Sequence, residues 1–134
     1  MNRTGLILGF FTGIILCPHA SNAQYTTDFQ TITISGVASN GTGDYLIGSN
    51  TFADVLLIQD TGALSIGFGL NVALGYETSS SNNTVLVTGT GSIWDCGWFS
   101  SISVGYSGMN NSLTISSGGR VIDGLDACVG IQCR

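Results

Sequence analysis

Few groups on this chain are able to do chemistry. Its 134 residues include eight Asp and Glu, three basic residues that are all arginine, and one histidine, His19, inside the apolar N-terminal stretch. With neither imidazole nor lysine beyond that stretch, Ser/His, Cys/His and Lys-based nucleophile schemes have no intramolecular base. Paired carboxylates are the remaining catalytic option, the chemistry of glycan cleavage, which sets two acids roughly 5 to 9.5 Å apart. Asp54 and Glu77 fall near corners of the repeat described below, Asp60 at a turn, Asp95 beside Trp94, and Asp123 and Asp126 after the last strand. These positions do not coincide modulo the repeat, so the sequence predicts no acidic cleft and no enzyme.

Metal and thiol chemistry fare no better. Gly118-Gly119-Arg120-Val121-Ile122-Asp123 approaches the calcium-binding G-G-x-G-x-D unit, but Val121 replaces a glycine the motif needs and nothing repeats every nine residues. Cys96, Cys128 and Cys133 lack a metal-site spacing such as C-x-x-C; Cys128 and Cys133 are close enough for a small-loop disulfide, and Cys96 is either free or paired across coils. No catalytic, cofactor-binding or metal-binding residue is assigned. Trp94, Trp98, Phe99, Tyr76 and Tyr106 can stack on sugar rings or on a partner protein, although the place of Trp94 in the repeat suits core or corner packing. Thr61 and Thr90 align in adjacent coils, but Gly118 breaks that ladder. Asn40, Asn82 and Asn110 begin N-x-[ST] triplets, which a turn-rich chain produces by composition.

The elements that must position these groups begin after a leader. Residues 1–23 read as a secretory signal peptide: Arg3, an apolar run from Leu6 to Cys17, Pro18, then Ser21-Asn22-Ala23 as the cleavage site. The run is too short to span a membrane. Acylation of Cys17 is the rival, disfavoured by the bulky Leu16 before it. Loss of Arg3 leaves eight acids against Arg120 and Arg134, a net charge of −6, which argues against nucleic acid as a partner. Charged residues are 8% and hydrophobic residues 43% of the chain, the pattern of an ordered fold with a neutral polar coat.

Beyond the leader one unit recurs: Leu56-x-Ile58-x-x-x-Gly62-x-Leu64, Val85-x-Val87-x-x-x-Gly91-x-Ile93, and Leu113-x-Ile115-x-x-x-Gly119-x-Val121, with glycines 29 and 28 residues apart. Each unit follows an apolar-Gly step, at Ile47-Gly48, Leu74-Gly75 and Val104-Gly105; a fourth, Val129-Gly130, opens a turn left incomplete. Period-two alternation inside a unit means strands, and the Gly- and Asn-rich breaks between them mean tight turns. Three short strands per unit exclude a propeller or an up-and-down barrel and fit a right-handed parallel β-helix of about four coils. Inward ladders are expected at Leu56/Val85/Leu113, Ile58/Val87/Ile115, Leu64/Ile93/Val121 and Leu74/Val104/Val129, with Gln59/Thr88/Ser116 facing out. Residues 24–44 form a degenerate first coil or cap, and 45–134 the solenoid repeats.

The stretch from Asn83 to Trp94, N-T-V-L-V-T-G-T-G-S-I-W, followed by Ser103 to Val121, S-V-G-Y-S-G-M-N-N-S-L-T-I-S-S-G-G-R-V, resembles the repeat shared by type V secretion (autotransporter) passengers and PEP-CTERM-associated exported bacterial proteins. The likeness extends over about Tyr45 to Gly130. It implies a bacterial, secreted or surface-exposed β-solenoid with no catalytic residues, adhesin-like or structural in role, presenting a surface to a protein or glycan. This sequence departs from that pattern in showing neither a C-terminal translocator barrel nor a sorting tail and in drifting from the repeat after Asp126, so a truncated or fragmentary passenger is the expectation. The alternative is a secreted carbohydrate-binding or carbohydrate-processing β-helix. Open strand edges at the ends predict end-to-end self-association.

Overall fold

The computed structural model describes Tyr25 and residues 27–130; the leader at 1–23, Cys133 and the incomplete turn opening after Gly130 lie outside the described residues. The described chain is all β, without a helix, and winds four times through three parallel sheets. The first face stacks β1 (Thr31–Ser35), β4 (Val55–Gln59), β7 (Thr84–Thr88) and β10 (Ser112–Ser116). The second stacks β2 (Ala38–Gly41), β5 (Ala63–Ile66), β8 (Ile93–Asp95) and β11 (Arg120–Ile122). The third stacks β3 (Tyr45–Ile47), β6 (Asn71–Leu74), β9 (Ser101–Val104) and β12 (Ala127–Val129). Every pairing is parallel and joins a strand to its counterpart one turn away.

Alternation along each strand decides what goes inside. In β4 and β7, Leu56, Ile58, Val85 and Val87 are fully buried, while Gln59 and Thr88 between and beyond them reach solvent. Register sets Leu56 on Val85 and Val85 on Leu113, then Ile58 on Val87 and Val87 on Ile115. On the third face Leu74 lies on Val104 and Val104 on Val129. Outside, the Ser116 hydroxyl donates to Thr88 Oγ1 at 2.9 Å, so the polar ladder is hydrogen-bonded between turns.

The second face corrects one ladder. Leu64 pairs with Trp94, and Trp94 with Val121; Ile93 pairs instead with Ala63 and Arg120. Trp94 is buried in the core and Ile93 stands on the outer surface, half-buried. The connection from β7 to β8 holds one residue more than its neighbours, eight positions separating Leu56 from Leu64 and nine separating Val85 from Trp94. Ser92 therefore takes the place of Gly62 and Gly119: the amides of Gly62, Ser92 and Gly119 bond the carbonyls of Gln59, Gly89 and Ser116 in turn. Gly91, rather than Thr90, then lies over Thr61, and the expected Thr61/Thr90 ladder is absent. The slip places an indole in the core, and an aromatic ring of this size buries more apolar area than an isoleucine.

The apolar-Gly steps close each turn at the same corner, between the third and first faces. Gly48, Gly75, Gly105 and Gly130 have φ of 72°, 66°, 73° and 99°, a left-handed conformation that glycine adopts without a Cβ clash. The amides of Gly75, Gly105 and Gly130 bond back to the carbonyls of Ile47, Leu74 and Val104 in the turn before.

Candidate functional site

The corner that carries those glycines is built as a buried polar ladder. Asp54, Asn83 and Asn111 each sit immediately before a first-face strand, and each side chain reaches the amide of its counterpart one turn earlier. Asp54 Oδ1 accepts from the Gln30 amide at 2.9 Å, Asn83 Oδ1 from the Asp54 amide at 2.9 Å, and Asn111 Oδ1 from the Asn83 amide at 2.9 Å. Asn83 Nδ2 donates to Asn111 Oδ1 at 2.9 Å, and Asn111 Nδ2 to the Ser80 carbonyl at 3.1 Å. Asp54, which has no amide to donate, instead accepts the Thr51 hydroxyl on Oδ2. Asp54 and Asn83 are fully buried, so these bonds satisfy amides that water does not reach. The carboxamides occupy the space above the glycine steps: a Cβ on Gly48 would fall 2.7 Å from Asn83 Cγ, and one on Gly75 2.6 Å from Asn111 Cγ. Left-handed residues stack beside the ladder, at Phe29, Ala53, Asn82 and Asn110, with Asn110 Nδ2 donating to Asn82 Oδ1 at 3.4 Å.

The remaining acids are spread among the corners, most of them closing a turn or tying one turn to the next. Asp28 Oδ1 accepts from the Phe52 amide at 3.1 Å, and Asp44 from the Asn71 amide at 2.8 Å and Asn71 Nδ2 at 2.9 Å. Asp60 Oδ2 takes the Ser35 hydroxyl at 2.8 Å, Asp95 Oδ1 the Gly97 amide at 2.9 Å, and Asp123 Oδ1 the Gly124 amide at 2.9 Å. Glu77 and Asp126 are exposed. Among the described residues no three His, Cys, Asp or Glu side chains gather as a metal set. Cys96 is free and buried; burial first, then the charges of Asp123 and Asp95, push its thiol up to about 12. A thiol so held carries little thiolate at neutral pH and is a poor nucleophile. Cys128 is disulfide-bonded.

The aromatic residues separate into different roles. Trp94 is core, and its indole N–H is buried without an acceptor. Trp98 and Phe99 stand on the corner between the second and third faces, 78% and 58% exposed, next to Phe68, which is 71% exposed. The Phe68 and Phe99 rings lie 5.1 Å apart at 50°. Tyr76 and Tyr106 stack at 5.0 Å and 10° at the opposite end of the third face, and Phe29 meets Phe52 edge-on at 5.1 Å. Phe68 and the Phe29/Phe52 pair are additions to the residues singled out from sequence; the detectable signal for Phe68 is that it and Trp98 share a ladder position, the Gly69 amide bonding the Trp98 carbonyl at 3.0 Å. Phe99 has φ of 58°, which for a bulky side chain costs about 1 to 3 kcal/mol. Three exposed aromatics from two successive corners, one of them held in a left-handed conformation at Phe99, form a ledge able to take the flat face of a sugar or an apolar side chain. No protein-family model, no curated protein and no solved structure matches this chain, so its functional reading rests on the fold and on these surfaces.

Proposed function

We propose that this chain is an exported, non-enzymatic β-solenoid segment that acts as a displayed surface, adhesin-like or structural, on or outside a bacterial cell. The observation that carries this reading is the contrast between its acids and its aromatics. Six of the eight acids are bound into hydrogen bonds that hold turns together, with Asp54 buried in the corner ladder, whereas Phe68, Trp98 and Phe99 project outward. Acids engaged by backbone amides or, for Asp60, by the Ser35 hydroxyl in separate corners are poorly placed to share a proton across a scissile bond. The leader-like residues 1–23 and the resemblance of Asn83–Val121 to autotransporter and PEP-CTERM-associated repeats support export. Among the described residues no helix is long and apolar enough to cross a membrane.

The test is expression of the full chain in a Gram-negative host, with fractionation and N-terminal sequencing. Export with a mature end at Gln24 is the expected result, and retention in the cytoplasm with an intact leader refutes it. The aromatic ledge favours a second reading, a carbohydrate-binding β-helix. Binding on a glycan array that is lost in Trp98→Ala, with the fold retained, selects it; release of sugars from a polysaccharide panel refutes the non-enzymatic reading.

A further inference from the structure

Two phenols meet at the corner that closes each turn. Tyr76 and Tyr106 follow the left-handed Gly75 and Gly105, two places beyond the paired strand ends Leu74 and Val104, and so hold one ladder position in successive turns. Their rings are nearly parallel, 5.0 Å between centroids and 10° between planes. Both reach solvent, Tyr76 half-buried and Tyr106 43% exposed. We propose that this stack is a site of oxidative cross-linking, at which a peroxidase and hydrogen peroxide join the two rings as dityrosine and weld the second turn to the third.

The backbone sets the pair before the rings touch. The Tyr76 amide donates to the Gly48 carbonyl at 2.9 Å and the Tyr106 amide to the Leu74 carbonyl at 3.3 Å, so each residue is tied to the turn before it. The same position one turn earlier belongs to Ser49, which limits the aromatic column to these two rings within the first three turns. The chain has four tyrosines, and the other two are shielded. Tyr25 and Tyr45 are buried in the core, and the Tyr25 hydroxyl donates to the Val55 carbonyl at 3.2 Å. An oxidant working from outside therefore meets Tyr76 and Tyr106 and not the core pair.

The peroxide balances the reaction. Each phenol O–H gives up one electron and one proton, and hydrogen peroxide takes both electrons and both protons and becomes two waters. The resulting phenoxyl radicals carry spin on the ring carbons beside the oxygen, the Cε positions. Coupling forms a bond between one Cε of Tyr76 and one Cε of Tyr106; the hydrogen on each of those carbons leaves as a proton, each oxygen takes one up, and both phenols are restored. The rings come edge to edge by rotation about their Cβ–Cγ bonds, a soft torsion, from a column whose strands lie about 4.8 Å apart. Coupling inside the stack is unimolecular, whereas coupling between copies needs two radicals to collide, so in dilute solution the stack wins.

Treatment of the dilute, purified full chain with a peroxidase and limiting hydrogen peroxide tests this. The monomer recovered by size exclusion should show blue dityrosine fluorescence, a mass lower by two hydrogens, and one cross-linked peptide pair containing Tyr76 and Tyr106. Its melting temperature should rise by several degrees, because the link closes a long loop in the unfolded chain. Tyr76→Phe and Tyr106→Phe should each keep the native circular dichroism and lose nearly all of that monomer fluorescence. Trp98→Phe, which removes an exposed indole that competes for the oxidant, should retain it. Dityrosine confined to dimers and larger species overturns the proposal, as does a monomeric cross-link that survives Tyr106→Phe. So does the absence of dityrosine from both the native chain and Trp98→Phe when free tyrosine couples in a parallel reaction. A cross-linked monomer that melts no higher than the untreated chain overturns the weld between turns.

Discussion

Replacing Gly75 by alanine, with Gly69→Ala as its control, isolates the corner lock. Both glycines are left-handed, with φ of 66° and 67°, so both substitutions carry the backbone penalty, about 1 to 2 kcal/mol, less the several tenths returned by a stiffer unfolded chain. There the likeness ends. A Cβ on Gly69 meets nothing within 4 Å, whereas a Cβ on Gly75 would lie 2.6 Å from both Asn111 Cγ and the Ser80 carbonyl oxygen. Asn111 must then leave, and with it go its bonds from the Asn83 amide, from Asn83 Nδ2 and to the Ser80 carbonyl. Each is worth about 1 kcal/mol net, and the Asn83 donors left in a buried site add about 1 to 3 kcal/mol. Gly75→Ala should therefore cost about 5 kcal/mol, near the lower end of total domain stability, against about 1 kcal/mol for Gly69→Ala. Urea unfolding followed by circular dichroism, at unchanged m, reads both values. Asn111→Gly removes the side-chain part of the clash and the same three bonds, while the Ser80 carbonyl oxygen still stands 2.6 Å from the new methyl, so the double variant should fall short of the sum of its parts because those bonds are lost only once. Equal losses for the two alanine variants would refute the lock.

The inward ladder predicts that Val87→Asp, between Ile58 and Ile115, is unfolded at neutral pH, since it buries an unpaired carboxylate at a cost of several kcal/mol; Thr88→Asp should stay within about 0.5 kcal/mol of the native chain by thermal melting. Cys96 should resist iodoacetamide at pH 8 until denaturant is added, and labelling of the native chain would contradict its burial. Because the fold raises that thiol from 9.0 to about 12, its contribution is complete below pH 9 and is lost as pH climbs toward 12. Burial of Tyr25 and Tyr45 acts in the same direction, so melting temperature should fall through that window, and a flat profile would refute the shifts. Acrylamide should quench Trp98 and spare Trp94: Trp98→Phe should leave a blue-shifted, protected emission, and a quenchable remainder would place Trp94 at the surface.

Strand number, face and most ladders were legible because a solenoid writes its contacts at a fixed period, and Val85, Leu56 and Leu113 keep that period on the first face. The second face misled because Gly62, Gly91 and Gly119 align in sequence while the chain aligns Gly62, Ser92 and Gly119, and an extra residue in a turn is invisible until the strand beyond it is placed. The corner lock was hidden for another reason. Asp54, Asn83 and Asn111 stand at one repeat position, yet Asp and Asn are also ordinary turn residues, and composition alone does not separate a buried carboxamide from an exposed one. The ledge was half visible: Trp98 and Phe99 announce themselves, while Phe68 joins them only once the two turns are superposed.

The extra residue between β7 and β8 has a consequence for how such a chain tolerates change. It moves Ile93 and Trp94 one place along the sequence frame, yet Trp94 stands over Leu64, Ile102 and Val104 over Val72 and Leu74, and Leu113 over Val85. The insertion is thus absorbed before the next face, as a clock that is reset at every strike loses no more than one interval. Corners can accordingly lengthen or shorten independently, without passing the error along the stack. A peptide grafted between Thr88 and Ser92 should be displayed on the rim while the sheets on either side keep their time.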